Sequence, residues 1–399
     1  MDATGLGPLR DAEGQRALTV AASLLAAGDD PLANAAAMRA EGFAAPVASA
    51  ALTQARLRRR ARAKVGDDAD LMYFTAAGLE QATRRVVADR RAERIAGSGV
   101  RRIADLGCGI GTDMIALARA GLQVLAVDID PVTAEIAAAN ARSLGLADRI
   151  EVRCADATTV DLSGVDAVFC DPARRVSGPT RERRIFDPSA YSPPWAFVRG
   201  LPERVPATVV KAAPGFDHAL LPEGAEAEWV SVAGDLVEVT LWCGPLARVP
   251  RRAAIIRDGA VHELTGSGTR TAPVGDIGRY LIDPDAAVLR AHLLGELAES
   301  VNGRLADHRI AYVFTDSPVH TPFARCFEVR EQLPFGRKHL RVELRRRGIG
   351  RLEIRKRGLA VDPDELRRDL RLGGTGEATL VLARFGQRPT ALLCHAVPG

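Results

Sequence analysis

The segment RRIADLGCGIGT, residues 101–112, decides the fold of this chain. Its first half is a short apolar run, which is typical of a buried strand, and its second half carries three glycines before a predicted helix over residues 112–120. Glycine lets the backbone turn tightly and approach a ligand, and the N-terminus of the next helix offers unpaired N–H groups. The segment therefore predicts a strand, a ligand-binding turn and a helix.

The glycine spacing narrows the class of ligand. Gly107, Gly109 and Gly111 form a G-x-G-x-G pattern that follows Asp105. A dinucleotide fingerprint requires G-x-G-x-x-G, and its third glycine would fall at Thr112. The spacing therefore makes a nicotinamide-dependent oxidoreductase the least favoured alternative.

Short apolar strands alternate with helices after this segment. The predicted strands are 101–106, 123–128, 149–154, 165–170, 208–212, 228–232 and 236–243. Such alternation implies a parallel sheet that helices cover on both faces. We therefore predict an α/β fold with a Rossmann-like, doubly wound, mostly parallel seven-stranded sheet, in which the last two strands form an antiparallel pair.

The length of 399 residues suggests two or three domains. Residues 1–95 are rich in Ala, Leu and Arg at helical spacing, and they predict a helical N-terminal region that includes a helix over 78–95. The sheet domain is predicted over 96–246, with a linker over 245–250. Residues 250–399 predict a smaller α+β domain, which includes a helix over 285–302 and another after 362–363.

Acidic residues follow the predicted strands at regular places. Asp128 ends the second strand, 23 residues beyond Asp105, and Asp156 follows the third strand. Ligands of doubly wound folds bind beyond the carboxyl ends of the strands, where an acid such as Asp128 can accept both ribose hydroxyls. The alternative is that these acids only cap turns. Their order on successive strands favours a nucleotide site.

These motifs resemble those of class I methyltransferases, and the resemblance implies S-adenosylmethionine as the cofactor. In that superfamily the glycine loop wraps the methionine half of the cofactor, and an acid at the position of Asp105 binds its ammonium group directly or through water. The Asp at position 156 commonly receives the adenine amino group. The residues so implied in cofactor binding are Asp105, Gly107, Gly109, Gly111, Asp128, Ile129, Asp156 and Ala157.

The fourth predicted strand ends at Asp171-Pro172-Ala173-Arg174. This resembles the N/D-P-P-aromatic motif of amino-group methyltransferases, in which the acid and a backbone carbonyl hold the target amine. Ala173 and Arg174 depart from that motif, although a guanidinium can stack on a base or hold a phosphate. We predict Asp171, Pro172 and Arg174 as catalytic residues; an ordinary strand-ending turn is the alternative.

An arginine-rich loop follows, and aromatic residues come after it. We predict substrate contacts from Arg175 and Trp195 in this region and from Lys211 at the end of the fifth strand. The alternatives are that Trp195 packs the loop onto the domain and that Lys211 pairs with Asp171 or lies on the surface.

Six cysteines are scattered along the chain, without C-x-x-C pairs or zinc-finger spacing. We therefore expect no metal, and reduced thiols in a cytoplasmic protein. Cys170 and Cys243 permit a covalent mechanism of the pyrimidine-C5 type, but free cysteines in strands are usually only buried. No apolar run is long enough for a membrane span, and the first residues lack a signal-peptide pattern.

Two strips are basic although the net charge is only +4. One covers residues 56–64, and the other, which we call the C-terminal basic strip, covers residues 337–357 and contains ten Lys and Arg. Such strips suit a phosphate backbone, and we predict RNA contacts from Arg351 and Arg355 on an alternating strand. A solvated charged face is the alternative.

Most of the chain resembles a bacterial family of class I methyltransferases with a C-terminal THUMP-like domain. The resemblance rests on the glycine loop and on Leu71–Thr75, Gly78–Thr83, Asp171–Arg174 and Ile349–Gly358. THUMP domains bind RNA, so it implies an RNA partner. Phe74 and Thr75 also resemble the helical extension of cap trimethylguanosine synthases, which implies that they help cover the cofactor.

The sequence thus favours an enzyme that methylates a base in tRNA or rRNA. Two alternatives stay open: a methyltransferase of a small molecule or protein, and a non-catalytic RNA-binding protein that retains the fold. The sequence does not indicate the target nucleotide or the oligomeric state.

Overall fold

The computed structural model describes residues 6–174 and 191–398, which form two compact units. The first unit comprises Met1–Ala212 and Leu241–Leu246, and the second comprises Ala213–Thr240 and Ala247–Gly399. These bounds differ from the predicted boundaries at 95 and 246. The N-terminal helices belong to the first unit because their apolar faces share one hydrophobic core with the sheet.

The first unit begins with five helices and continues with strands that alternate with helices. In chain order its elements are α1 (Ala12–Ala27), α2 (Pro31–Ala40), α3 (Ala45–Val65), α4 (Ala76–Gln81), α5 (Arg85–Ala96), β1 (Arg102–Leu106), α6 (Thr112–Arg119), β2 (Gln123–Asp128), α7 (Pro131–Ser143), β3 (Ile150–Cys154), β4 (Ala167–Cys170), β5 (Ala173–Arg174), β6 (Tyr191–Ser192), α8 (Trp195–Arg204) and β7 (Thr208–Ala212).

The second unit contains the remaining strands and four further helices of the described chain. Its elements are β8 (Glu226–Val232), β9 (Asp235–Trp242), β10 (Arg251–Arg257), β11 (Ala260–Gly266), β12 (Tyr280–Pro284), α9 (Ala286–Arg290), α10 (Leu294–Ser300), β13 (Arg304–Leu305), β14 (Val313–Thr315), β15 (Ala324–Pro334), α11 (Arg337–Arg346), β16 (Ile349–Arg357), α12 (Pro363–Leu370), β17 (Gly376–Phe385) and β18 (Arg388–Ala396). The last two residues of β9 belong to the first unit.

In the first unit the strand order is β9-β7-β4-β1-β2-β3. β1 pairs in parallel with β2 and β4, and the ladder places Leu106 opposite both Val127 and Cys170. Because parallel strands end at the same edge, the carboxyl ends of β1, β2 and β4 lie side by side. The predicted doubly wound α/β fold is confirmed, and the carboxyl edge of its sheet carries Asp105, Asp128 and Asp171.

In the second unit β11-β10-β8-β9 are neighbours, and a separate seven-stranded sheet has the order β13-β14-β12-β15-β18-β17-β16. The segment 245–250, predicted as a linker, leads directly into β10, which pairs in parallel with β8. The buried carboxylate of Glu226 accepts hydrogen bonds from the backbone N–H groups of Arg248 and Val249 and from the Arg252 guanidinium. Burying this carboxylate requires those partners, so they fix the path of the chain.

The two longest predicted helices are each divided. Residues 78–95 contain the end of α4 and all but one residue of α5, because the Lys64 ammonium donates to the carbonyls of Leu79, Glu80 and Ala82 and so ends α4. Residues 285–302 contain α9 and α10. Between them His292 adopts φ +60°, a left-handed conformation that no α-helix continues through.

Gly66–Asp70 form a 3₁₀ helix, and two buried amide side chains hold the segment between this helix and α4. Asn140 accepts from the N–H of Tyr73 at 2.6 Å and donates to the carbonyls of Tyr73 and Ile110. Gln54 accepts from the N–H of Phe74 and donates to its carbonyl at 2.7 Å. The N-terminal region is therefore hydrogen-bonded to the glycine loop through Asn140.

No helix among the described residues is long and apolar enough to cross a membrane.

We expect Asn140→Ala to lower the melting temperature measured by calorimetry. The change leaves the Tyr73 N–H and two carbonyls without partners in a buried place, which costs about 1–3 kcal/mol for each group that stays unsatisfied. Gln123→Ala is the matched control, because Gln123 is exposed at the start of β2. Equal melting temperatures for Asn140→Ala and the wild type would contradict this assignment.

Candidate active site at the carboxyl edge of the sheet

The glycine loop between β1 and α6 is anchored to the second strand. The N–H groups of Gly107 and Cys108 both donate to the carbonyl of Val127, at 2.9 and 3.0 Å. Gly107 adopts φ +85°, and a Cβ atom there would lie only 2.8 Å from the carbonyl oxygen of Asp171. Gly109 adopts φ +56°, and a Cβ there would enter open space. The loop thus needs glycine at 107 to approach β4, and it leaves room for a ligand at 109.

Asp105 lies on β1 beneath the loop and is completely buried. Neither of its carboxylate oxygens has a hydrogen-bond partner in the part of the chain that the structure describes. Burial raises the pKa of Asp105 well above its ordinary value, and the neighbouring Asp113 and Asp171 raise it further. A buried acid of this kind requires a proton or a cationic or hydrogen-bonding ligand.

Asp128 ends β2 and holds the loop from the other side. Its carboxylate accepts from the N–H groups of Gly109 at 2.9 Å and Asp130 at 3.0 Å. Burial raises the pKa of Asp128, although these backbone hydrogen bonds oppose the shift. Ile129 beside it is 52% exposed, which is unusual for a large apolar side chain at a strand end. The pair offers an acceptor and an apolar surface to one ligand.

Asp156 follows β3 and is exposed. One carboxylate oxygen accepts from the N–H and the hydroxyl of Thr158 and begins a 3₁₀ turn over Ala157–Thr159. Ala157 is buried. The turn places Asp156 next along the edge from Asp128, because Cys154 of β3 pairs with Asp128 of β2.

Asp171 heads a chain of polar contacts that continues into the core. The Lys211 ammonium donates to the Asp171 carboxylate at 2.6 Å and to the Thr83 hydroxyl at 2.9 Å. Thr83 donates to the buried carboxylate of Asp113 at 2.6 Å, and Asp113 also accepts from Arg91. The alternative that Lys211 pairs with Asp171 describes this geometry, and the substrate contact of Lys211 stays a prediction. These polar contacts restrain the Asp171 side chain on its buried side, and the side chain remains 32% exposed.

The acids Asp113 and Asp171 and the cations Arg91 and Lys211 lie close enough to Asp105 to act on its ionisation. Like charges disfavour ionisation of one another at such sites, and the two acids raise the pKa of Asp105. A cationic ligand beside Asp105 would oppose that shift and favour its ionised form.

The remaining predicted catalytic positions are only partly described. Pro172 is buried. The backbone of Arg174 pairs with Tyr191 in a two-stranded sheet of β5 and β6, but its side chain lies outside the described part. Arg175 lies outside the described residues altogether. Their predicted contacts with substrate stay predictions.

The structure corrects the predicted ligand contacts of two aromatic side chains. Phe74 is fully buried in the core and both of its peptide groups bond to Gln54, so it packs the N-terminal segment. Trp195 is 4% exposed, and its ring packs at 5.9 Å from that of Tyr191. Thr75 uses its hydroxyl to accept from the N–H of Gly78 and so caps α4. These side chains support the rim from behind.

The predicted RNA contacts of the C-terminal basic strip stay predictions, and the structure shows which partners its arginines have within the chain. All eight of its arginines have hydrogen-bond or ion-pair partners within the described chain. Arg355 pairs with Asp283 and Glu353 and lies over the Phe327 ring, so it is not available for a phosphate. Arg351 pairs with Glu377 at 2.6 Å but remains largely exposed. The sequence predicted the positive charges but not the acids that neutralise them.

Cys170 and Cys243 are poor nucleophiles in this structure. Both are buried, and burial raises the pKa of Cys243 to about 11 and the pKa of Cys170 well above its ordinary value. A thiol with a raised pKa supplies little thiolate at neutral pH.

Within residues 6–174 and 191–398, no cluster of three or more His, Cys, Asp or Glu is arranged to hold a metal ion.

Sequence reasoning missed the residues that support the site from a distance. These are Gln54, Thr83, Arg91, Asp113 and Asn140. Thr83 lies 128 positions from Lys211, and such a pairing has no local signal. Asp113 and Asn140 are polar residues on helices whose other inward positions are apolar, and that break in pattern was the available clue.

Comparison with known families assigns the main parts of the chain. A methyltransferase-domain family matches residues 103–184, and a THUMP domain-like family matches residues 324–396. A domain family of unknown function matches residues 2–61.

Relatives and solved structures cover nearly the whole chain. It is 36% identical over 356 residues to an uncharacterized S-adenosylmethionine-dependent methyltransferase of two Mycobacterium tuberculosis strains, covering 85% of this chain and 94% of the relative. A candidate methyltransferase from Porphyromonas gingivalis W83 is 19% identical and has a TM-score of 0.72 over 96% of this chain and 99% of its own. A 23S rRNA (uracil(1939)-C(5))-methyltransferase of Acidithiobacillus ferrooxidans is 32% identical over 111 residues, which are 26% of this chain and 25% of that protein.

We expect Asp105→Asn to raise the melting temperature at neutral pH. Burial raises the pKa of Asp105, so the folded chain holds its proton more tightly than the unfolded chain. The corresponding stability is present below the ordinary pKa of an aspartate and is lost as the pH rises through the raised value. Asparagine carries no charge at any pH, so the advantage of the variant should grow as the pH rises above the ordinary pKa of an aspartate, about 4.

Calorimetry of both proteins at several pH values measures this difference. Asp148→Asn serves as the control, because Asp148 is exposed before β3, at the opposite end of the strands. A difference in melting temperature between Asp105→Asn and the wild type that stays constant with pH would show that burial does not destabilise the Asp105 carboxylate.

Proposed function

Because this chain belongs to the class I S-adenosylmethionine-dependent methyltransferases with a C-terminal THUMP-like domain, we propose that it methylates a base in tRNA or rRNA. The observation that carries the proposal is the Asp171 carboxylate. It ends β4 at the ligand-binding edge, is fixed by Lys211, and its own carbonyl lies against Gly107 of the cofactor loop. An acceptor held by Asp171 would therefore meet a ligand held by the loop.

The residues of the edge fit S-adenosylmethionine, which supplies an electrophilic methyl group on a sulfonium when bound. The partnerless carboxylate of Asp105 and the acids around it suit the ammonium and sulfonium charges. Because Asp105 is fully buried, we assign it a contact through water. Asp128 would hold the ribose hydroxyls, Ile129 would contact the adenine, and Asp156 would accept from the adenine amino group.

Asp171 positions the acceptor for methyl transfer. Its carboxylate is an acceptor and would hold an N–H donor of an exocyclic amine. Lys211 restricts the rotamers of the carboxylate through a short charge-assisted hydrogen bond. Methyl transfer is an in-line displacement, in which orientation of the reacting atoms provides most of the rate acceleration.

An RNA substrate is supported by two findings of unequal weight. The THUMP domain-like family covers β15 to β18, and a 23S rRNA methyltransferase is similar over about a quarter of the chain. That relative methylates C5 of a uracil. The high pKa values of Cys170 and Cys243 argue against a cysteine-dependent C5 reaction through either of them, so an amino group is the better acceptor.

One observation favours a second candidate function, a small molecule or protein as the acceptor. The arginines of the C-terminal basic strip are paired with acids and carbonyls, so the strip attracts a phosphate backbone less than its composition suggests. A third possibility, RNA binding without catalysis, rests on the departure of Ala173-Arg174 from the amino-methyltransferase motif. A cytoplasmic location stays a prediction.

Incubation of the purified protein with methyl-labelled cofactor and total cellular RNA tests the proposal. We expect labelled RNA, and digestion to nucleosides will identify the methylated base. Label that enters protein or small molecules instead of RNA would overturn the RNA assignment. Salt-sensitive RNA binding without label would support the non-catalytic alternative.

We expect Asp171→Ala to abolish methyl transfer while nearly preserving cofactor binding. The substitution removes the acceptor-binding carboxylate but leaves the glycine loop and Asp128 in place. Transfer is measured with labelled cofactor, and binding by calorimetry, with Asp148→Ala as the matched control far from the edge. Normal methylation by Asp171→Ala would show that the catalytic assignment is wrong.

Asp128→Ala should weaken cofactor binding about tenfold or more, because it removes the ribose acceptor and the hydrogen bond that holds the Gly109 N–H. The dissociation constant is measured by titration calorimetry. Unchanged affinity would exclude the ribose role.

A further inference from the structure

Three aromatic rings form a stack in the second unit, and none of them belongs to the residues assigned above. His218 lies between Trp229 and His292, with ring centroids 4.8 and 3.9 Å apart and interplanar angles of 15° and 9°. Trp229 is completely buried on β8, and its ring N–H donates to the carbonyl of Pro214. His292 is the exposed outer ring. The stack therefore has a fixed inner end and an open outer end.

The backbone at His292 is arranged to present this ring. His292 connects α9 to α10 with φ +60°, a conformation that glycine adopts more easily than any residue with a Cβ. This conformation ends α9, where the N–H of Leu293 donates to the carbonyl of Val288, and it turns the His292 side chain out of the helix.

The stacked rings are uncharged at neutral pH. Burial and the neighbouring His292, Arg251 and Arg290 lower the pKa of His218 to about 4, although the nearby Asp217 opposes the shift. Burial and the same two arginines lower the pKa of His292. Neutral imidazoles offer a flat aromatic surface. Neither ring nitrogen of His218 has a hydrogen-bond partner in the described chain, so the ring contributes by its face.

The two arginines beside the stack have no carboxylate partner within the described residues. Arg251 donates only to the carbonyl of Pro250, at 3.2 Å, and Arg290 is exposed in the last turn of α9. All eight arginines of the C-terminal basic strip, by contrast, have partners. Arg251 and Arg290 therefore leave positive charge beside the stack that no carboxylate of the described chain pairs with.

We propose that the Trp229–His218–His292 stack with Arg251 and Arg290 is a binding site for one nucleotide of single-stranded RNA. A nucleobase adds a fourth ring on the exposed face of His292, and its phosphate neutralises the two guanidiniums. Base stacking on an aromatic side chain beside unpaired cations is the combination by which proteins grip single strands without reading their sequence. The inference rests on the proposed RNA substrate, and it adds a contact outside the carboxyl edge.

Binding of a fluorescein-labelled single-stranded RNA to the full-length protein, followed by anisotropy at several salt concentrations, tests the site. His292→Gly should bind about tenfold more weakly, while its melting temperature equals or exceeds that of the wild type because glycine relieves the left-handed backbone. His292→Tyr should retain most of the affinity. His308→Ala, at another exposed histidine, is the control.

The arginines provide an independent measurement. Arg290→Ala should reduce the slope of log K against log salt by about 1, as expected for the loss of one phosphate contact. Arg351→Ala, at an arginine that is already paired with Glu377, should leave the slope unchanged.

Parallel assays of methyl transfer separate this inference from the proposed function. If the wild type methylates RNA and His292→Gly binds it normally, the nucleotide site is wrong and the function stands. If RNA binding requires His292 but no methyl group is transferred, the site stands and the function is wrong. A wild type that binds no RNA at any salt concentration overturns the site.

Discussion

The ion pair between Lys211 and Asp171 is the interaction around which the candidate active site is organised. It joins the ends of β4 and β7 and continues through Thr83 and Asp113 to Arg91, so five elements of the first unit share one polar network. A network of this kind is stable only if its members are satisfied. Asp105 lies beside it, and its carboxylate oxygens have no hydrogen-bond partner in the described chain. The polar groups behind the edge are therefore hydrogen-bonded to one another, whereas Asp105 lacks a partner on the side where the cofactor is expected.

Local sequence patterns predicted the frame of this site well. The glycine loop and the acids at 105, 128, 156 and 171 follow short apolar strands, and parallel pairing necessarily brings such strand ends to one edge. The strands at 123–128 and 208–212 have the predicted bounds. These features depend on neighbours in sequence and on periodicity, which a single sequence contains.

The features that the sequence did not reveal depend on partners far along the chain. The helix predicted over 78–95 is divided because Lys64 and Asp113 bind its middle, and neither residue is near it in sequence. The C-terminal basic strip has strong positive composition, yet acids such as Asp283 and Glu377 neutralise it from other elements. Phe74 has the right position beside the loop, but burial gives it a packing role. Composition predicts charge and hydrophobicity, whereas availability to a ligand depends on tertiary contacts.

The hydrogen bonds of Asn140 have a consequence for how this enzyme can be divided. One side chain joins the carbonyl of Ile110 in the glycine loop to the backbone of Tyr73, which precedes the sheet by almost thirty residues. A truncated protein that starts at Val100 would keep every strand of the sheet but lose the partner that fixes one side of the loop. The first hundred residues are thus an integral part of the catalytic unit and not an exchangeable appendage, and any chimera of this enzyme must transfer both together.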